Sequence, residues 1–324
     1  GNSTLSRKMF PYIKFFYFFL GSRESLGYIL GAMMTGVVTS GKAASRSPAP
    51  AASGVPKTPP PIRFSELLRR GAPDYARRMG RFGLAAFSLL VGQRLMDRGW
   101  PMVEHSSPAA FLSSTVEHLR YQVKLEGEEN LPATGDFVIA ANHPTGGPEG
   151  IILLWLLVTR YGDAVLPANR VLTELPGIAP LIQPVDVFEN GRRRLRKPEE
   201  FLRAGAPVLF FPAGLTARVR GGRLREYPWQ RGFVRVAASG RRPVVPVRVE
   251  SSPSPLFRGV AALRRLFGVR VNVEMFLLFR EFLRRGRRIR LRVGPPIDVQ
   301  TENDDLKSAG AIARKIQRLV EKEL

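Results

Sequence analysis

The chain has 324 residues, 44% of them hydrophobic. That length suits one large domain or two small ones, and the composition is too apolar for disorder. Cysteine is absent and only His105, His118 and His143 represent histidine, which excludes disulfides, thiolate metal sites and cysteine nucleophiles and leaves little from which to build a metal centre. Fifty basic residues face 27 acidic ones, a net charge of +23, and residues 191–300 alone carry 26 basic and 7 acidic side chains. The partner of that half should be anionic: nucleic acid, a phospholipid surface or a phosphorylated substrate.

Residues 9–20 and 26–38 are two short apolar runs, each below the roughly 20 residues that span a bilayer. They read as a degenerate signal or anchor, or as a disordered leader. Residues 39–61 are rich in Ala, Ser, Pro and Gly and end in Pro59-Pro60-Pro61, the composition of an extended linker. Leader and linker thus occupy residues 1–61, and the folded part should begin near Ile62. Residues 62–104 read as amphipathic helices. Phe64, Leu67, Leu68, Met79, Phe82 and Phe87 supply an apolar side, Arg69, Arg70, Arg77, Arg78 and Arg81 a basic one, and Gly71-Ala72-Pro73 a break. Such a pair either lies on a membrane surface or packs on the domain core with its arginines solvated.

Beyond it strands and helices alternate. Strands are expected at 121–126, 137–141, 207–211, 243–249 and 289–293. Helices are expected at 150–159, around 198–204, and at 255–267, 274–285 and 303–324. The alternation predicts an α/β fold: a mixed, largely parallel sheet flanked by helices and preceded by the N-terminal amphipathic helical pair.

One local pattern carries chemistry. Ala141-Asn142-His143-Pro144-Thr145-Gly146-Gly147-Pro148-Glu149-Gly150 puts a histidine directly after a strand and a glycine-rich turn before an apolar helix. Ligands bind at such strand ends in open α/β sheets. Glu149 falls in the first helical turn, where a carboxylate suits the dipole, and the turn can fold it back onto the imidazole. A carboxylate on one ring nitrogen leaves the other free as a base. The alternative is a histidine with a loop or core role. His105 and His118 have no partner pattern and read as structural.

Residues 123–150, VKLEGEENLPATGDFVIAANHPTGGPEG, resemble the opening of the glycerolipid acyltransferase family, which includes 1-acylglycerol-3-phosphate and lysophospholipid acyltransferases. Gly127, Glu129-Asn130-Leu131-Pro132 and Asn142-His143 match its ordered blocks. Phe210-Phe211-Pro212-Ala213-Gly214 resembles its F-P-E-G block, Gly232-Phe233 with Val236-Ala237-Ala238 the helix after it, and Pro243-Val244-Val245-Pro246-Val247 its I-x-P-V strand. Arg290–Ile297 resembles its closing strand. Two departures stand out. The acid lies six positions after His143 rather than five, a spacing similar to the hemolysin-like and ornithine-lipid O-acyltransferase branch. The glutamate of F-P-E-G is Ala213, and the arginine usual behind that glycine is displaced to Arg218. The second departure makes a lyso-aminolipid acceptor a better fit than lysophosphatidic acid.

The resemblance implies an acyltransferase domain at 105–324. His143 is its general base and Glu149 its orienting acid. Asn142, Thr145, Gly146, Gly147, Arg170, Pro212, Gly214 and Arg218 contact substrates, with the Gly146 and Gly147 amides facing an oxyanion and Arg220 and Arg223 near an anionic group. No cofactor or metal is implied; acyl-CoA or acyl-carrier protein is the co-substrate and a lysolipid the acceptor. The basic stretches would then meet anionic membrane lipids at the cytoplasmic face of an inner membrane. Two readings without catalysis stand beside it, a basic nucleic-acid-binding protein and a membrane scaffold with a decayed site. No zinc-finger, RRM or KH pattern supports the nucleic-acid reading.

Overall fold

The structure, a computed structural model, describes residues 63–71, 73–169, 172–173, 175–185, 197–220, 223–268, 277–299 and 306–324. The expected leader and linker, residues 1–61, lie outside the described residues.

Three helices open the described chain: α1 (Phe64–Gly71), α2 (Pro73–Val91) and α3 (Gln93–Gly99). The break near residues 71–73 was expected, but two further ones fall at glycines in the left-handed region, Gly80 (φ 61) within α2 and Gly92 (φ 107) before α3. Glycine adopts that conformation without the Cβ clash other residues meet. Leu68, Ala76 and Leu84 are buried together between α1 and α2. Helix α4 (Pro108–His118) had not been anticipated. It starts at Ser107, whose hydroxyl accepts from the Ala110 amide, with Pro108 at the first helical position, a standard start signal.

Strands β1 (Gln122–Glu126) and β2 (Val138–Ala141) follow, then helix α5 (Gly147–Tyr161), which Gly162 ends in a left-handed turn. A short parallel pair, β3 (Leu166–Asn169) and β4 (Ile182–Val185), comes next. The helix expected around 198–204 is a single 3-10 turn at Pro198–Phe201. Strand β5 (Val208–Phe210) leads to an antiparallel hairpin, β6 (Arg218–Arg220) and β7 (Arg223–Arg225). After it come α6 (Gly232–Ser239), β8 (Val244–Glu250), α7 (Pro255–Leu266), the five-residue α8 (Leu278–Phe282), β9 (Arg288–Val293) and α9 (Leu306–Lys322). Within the expected helix 274–285, residues 274–276 lie outside the described residues.

The main sheet has the order β1-β9-β8-β2-β5, with β8 and β9 antiparallel and the other neighbours parallel. This is the mixed, largely parallel α/β sheet expected. Strand β2, Val138-Ile139-Ala140-Ala141, is buried throughout because layers cover both its faces. On one face Ile139, Val247 and Leu291 pack with Leu112 of α4 and Leu153 and Leu157 of α5. On the other, Val138, Ala140 and Val208 pack with Phe233 of α6 and with Ala309, Ala313, Ile316 and Val320 of α9. That spacing gives α9 one apolar stripe. The second face is only partly covered along β1, β9 and the end of β8, where the end of the chain touches Arg248 and Arg292. There Arg288, Arg290 and Arg292 alternate with buried Ile289, Leu291 and Val293.

Strand direction decides what meets at one sheet edge. The parallel strands β2, β5 and β8 end there, delivering His143, Phe211 and Ser251. The oppositely directed β9 and β1 begin there, delivering Arg287 and Tyr121.

Candidate active site

His143 sits two residues beyond the end of β2, and its backbone is fastened on both sides. Its N–H donates to Glu226 Oε1, and its carbonyl accepts from the Ala217 amide at 2.9 Å. The preceding Asn142 donates from Nδ2 to the Val249 carbonyl at 2.9 Å and accepts the Val249 N–H at 2.5 Å. Its amide ties β2 to β8; the sequence reading had placed it against substrate. The His143 ring stacks on Phe211, with centroids 4.1 Å apart and planes at 27°. Nδ1 lies 3.5 Å from Glu149 Oε1. The fold-back expected of the glycine turn is therefore present.

Glu149 is fully buried. Its Oε1 accepts from the Thr145 amide at 2.6 Å and the Gly146 amide at 2.7 Å, and its Oε2 accepts from the Thr145 hydroxyl at 2.8 Å. As the third residue of α5 it thus satisfies amides that have no partner within the helix. The turn depends on glycine. Gly146 has φ 97, and a Cβ on Gly147 would come within 2.9 Å of the Phe282 ring. One expectation is corrected here. The Gly146 N–H is given to Glu149, so it does not face an oxyanion; the turn needs that proton to hold its carboxylate. Thr145 is likewise buried and engaged by Glu149, which sets it behind the imidazole.

Behind Thr145 lies Arg287, only 1% exposed. Its Nη2 reaches the Thr145 hydroxyl (3.2 Å), the Ser251 hydroxyl (2.9 Å) and the Ser252 carbonyl (2.9 Å), and its Nη1 donates to the Glu281 carbonyl at 3.1 Å. A Glu281 carboxylate oxygen stands 3.5 Å from Nη1. Burial pulls the Arg287 guanidinium below its usual range, and the nearby Glu149 opposes the shift. A line of contacts thus runs from Arg287 through the Thr145 hydroxyl and Glu149 to His143. Glu226, half-buried, is a further carboxylate at the site. It accepts from His143 N and, at 2.8 Å, from Trp229 Nε1. Burial pushes it up to about 7, against those two hydrogen bonds.

Of the remaining expected residues, Pro212 is buried and its carbonyl accepts from the Gln230 amide at 2.9 Å. Gly214 (φ 63) closes a tight turn onto the Phe211 carbonyl. Arg218, Arg220 and Arg223 lie on the β6–β7 hairpin, and Arg170 lies outside the described residues. The sequence reading missed Glu226 and Arg287. Glu226 is the single acid in residues 218–231. Arg287 shares the odd-numbered parity of Ile289, Leu291 and Val293, the inward positions of β9. Both signals were readable.

The sheet edge, the histidine after β2 and the buried acid at the start of α5 bring an imidazole and a carboxylate together in an α/β fold. A family model described as "Acyltransferase" matches residues 67–323, and the chain belongs to that family. It is 32% identical over 243 residues to the lyso-glycine lipid O-acyltransferase of Phocaeicola vulgatus, spanning 74% of this chain and 87% of that one. It is 29% identical over 245 residues to the lyso-glycine lipid O-acyltransferase of Bacteroides thetaiotaomicron, spanning 74% of this chain and 89% of that one. A distant likeness links the chain to the crystal structure of the 1-acyl-sn-glycerophosphate acyltransferase PlsC from Thermotoga maritima. The TM-score is 0.40 at 17% identity, covering 74% of this chain and 93% of that one.

Proposed function

We propose that this acyltransferase moves a fatty acyl group from a thioester, acyl-CoA or acyl-carrier protein, to the hydroxyl of a lysolipid whose head group is an amino acid. The observation that carries the mechanism is the His143 Nδ1 to Glu149 Oε1 approach of 3.5 Å, with Glu149 buried and fixed by three donors. That distance is at the outer limit for a hydrogen bond, and such contacts tighten when substrate binds. Glu149 on Nδ1 leaves Nε2 to take the proton of the acceptor hydroxyl. The oxygen attacks the thioester carbonyl carbon, the tetrahedral intermediate expels the thiolate as the C–S bond breaks, and the imidazolium returns the proton to sulfur. The products are an ester and a free thiol, with no covalent enzyme intermediate.

The lyso-glycine lipid relatives support an amino-acid head group, as does Ala213 in the block where the resembled family has glutamate. No helix among the described residues is long and apolar enough to cross a membrane. In this reading the described part meets the membrane at its surface, with exposed Phe82 on α2 and Leu263, Leu266 and Phe267 at the end of α7 entering the lipid. Arg81, Arg264 and Arg265 would meet anionic head groups, each contributing about 1 kcal/mol. The test is thiol release from acyl-carrier protein or acyl-CoA in detergent with a panel of lysolipids. Acceptor-dependent release, lost in His143→Ala, is the expected result. Release at an unchanged rate in the folded variant would sink the mechanism.

A further inference from the structure

A cavity of about 730 Å³ opens at the same sheet edge, walled on one side by Asn142 and Pro144, the two neighbours of His143. Arg248, Arg284 and Arg288 contribute to its lining, with Glu250 as the carboxylate among the lining residues. Glu250 is already shared: Arg290 lies 3.3 Å from one of its oxygens, and Arg248 and Arg292 lie 3.4 and 3.6 Å from the other. Arg288 donates to the neutral side chain of Gln122. Arg284 stands 3.9 Å from Glu281, a carboxylate that Ser254 and Arg287 also hold. Positive charge therefore exceeds negative in this concavity. The Ser251 hydroxyl and Ser252 carbonyl in its wall are held by buried Arg287, so that wall is rigid. Guanidinium groups gathered in an open, polar concavity recognise oxyanions through paired N–H donors.

We propose that this cavity binds one oxyanion, a carboxylate or phosphate carried by a reactant, and so positions that reactant against His143. The inference rests on His143 being the reacting centre. Two sources share the chemistry: the carboxylate of an amino-acid head group joined to its acyl chain through nitrogen, and the phosphate of a pantetheine-type thioester donor.

Calorimetric binding separates them without turnover. The probes are N-lauroylglycine against its primary amide, and pantetheine 4′-phosphate against pantetheine, each titrated into the whole chain in detergent. At least one anionic probe should bind at least tenfold more tightly than its uncharged counterpart. That preference should vanish in Arg284→Ala/Arg288→Ala and weaken in Arg248→Ala. Arg284 is 37% exposed, so Arg284→Ala alone stands in should the double variant unfold. Preference for N-lauroylglycine assigns the site to the acceptor, and preference for the phosphate assigns it to the donor. Equal binding of charged and uncharged probes, or a preference untouched by every variant, overturns the site. Because turnover is not read, an inactive protein that still prefers an anion would sink the catalytic reading and leave the oxyanion site standing.

Discussion

The surroundings of Glu149 and the outer faces of α2 and α7 are built by opposite rules. Around Glu149 polar groups turn inward, and each contact of its carboxylate is with a donor. On the helices large apolar side chains turn outward: Phe82 is 77% exposed, Leu266 78% and Phe267 74%. A buried polar group is tolerated only when its partners are fixed. An exposed apolar patch is tolerated when something apolar covers it. The first region therefore holds its shape from within, whereas the second leaves large apolar side chains facing outward. The two meet at α8. There Leu278 packs against Phe257 of α7, and Phe282 lies against Gly147 at the start of α5.

The sharpest way to break the first half of that comparison is to disturb the inward-turned carboxylate. His143→Ala should lower acceptor-dependent thiol release about 10²–10⁴-fold, the usual contribution of a general base. Glu149→Gln should approach the same loss, because an amide cannot accept from two backbone amides, a hydroxyl and an imidazole at once. Full activity in a folded Glu149→Gln protein would show that the buried contacts serve stability alone.

Arg287 comes next. It acts through Thr145 and Glu149, so it is a positioning residue. Arg287→Met should reduce kcat about 10–100-fold, the scale for a residue that holds a reacting group's partner in place, with KM for the acceptor little changed. The kcat–pH profile should shift with it, and Arg287→Lys should restore part of the loss. A purely structural arginine would lower the thermal midpoint without moving the pH profile.

The same two regions show what could be read from sequence. His143 and Glu149 were legible because strand, glycine turn and acid lie within ten residues. The sheet was legible because Val138–Ala141 and Val244–Val247 are apolar runs and Arg288–Val293 alternates. The breaks at Gly80 and Gly92 were not marked, because a glycine within a helical pattern does not announce a positive φ. The strands β3 and β4 are four residues each and hold prolines, so neither shows a clear period. Glu226 and Arg287 reach the site through long-range packing: Glu226 lies 83 residues from His143 and Arg287 lies 142 from Thr145. Single-sequence periodicity marks a residue's face but not its partner.

The outward-turned half is broken by removing its apolar groups while keeping its charge. Phe82→Ser, Leu266→Ser and Phe267→Ser together should lower partition onto anionic vesicles more than tenfold, since burying one such side chain contributes about 1.5–3 kcal/mol. Flotation across vesicles of increasing anionic lipid content measures it. Wild-type binding that is indifferent to anionic lipid would remove the role given to Arg81, Arg264 and Arg265.

The smallest effect sharpens the inward half by exposing what burial costs there. Glu226 has its carboxyl pushed from an ordinary 4.5 up to about 7 in the folded chain. The folded state therefore holds a proton there that the unfolded state releases between those values. Stability from this group is fully present below pH 4.5 and is lost as pH rises through 7. At 1.36 kcal/mol per pH unit, the loss is roughly 3 kcal/mol. In Glu226→Gln the titration is gone. The wild-type thermal midpoint minus that of the variant should fall steadily from pH 5 to pH 8. A difference that stays flat would mean that water reaches the carboxylate, and that the His143 backbone is fastened at a wetter site than the contacts around Glu149.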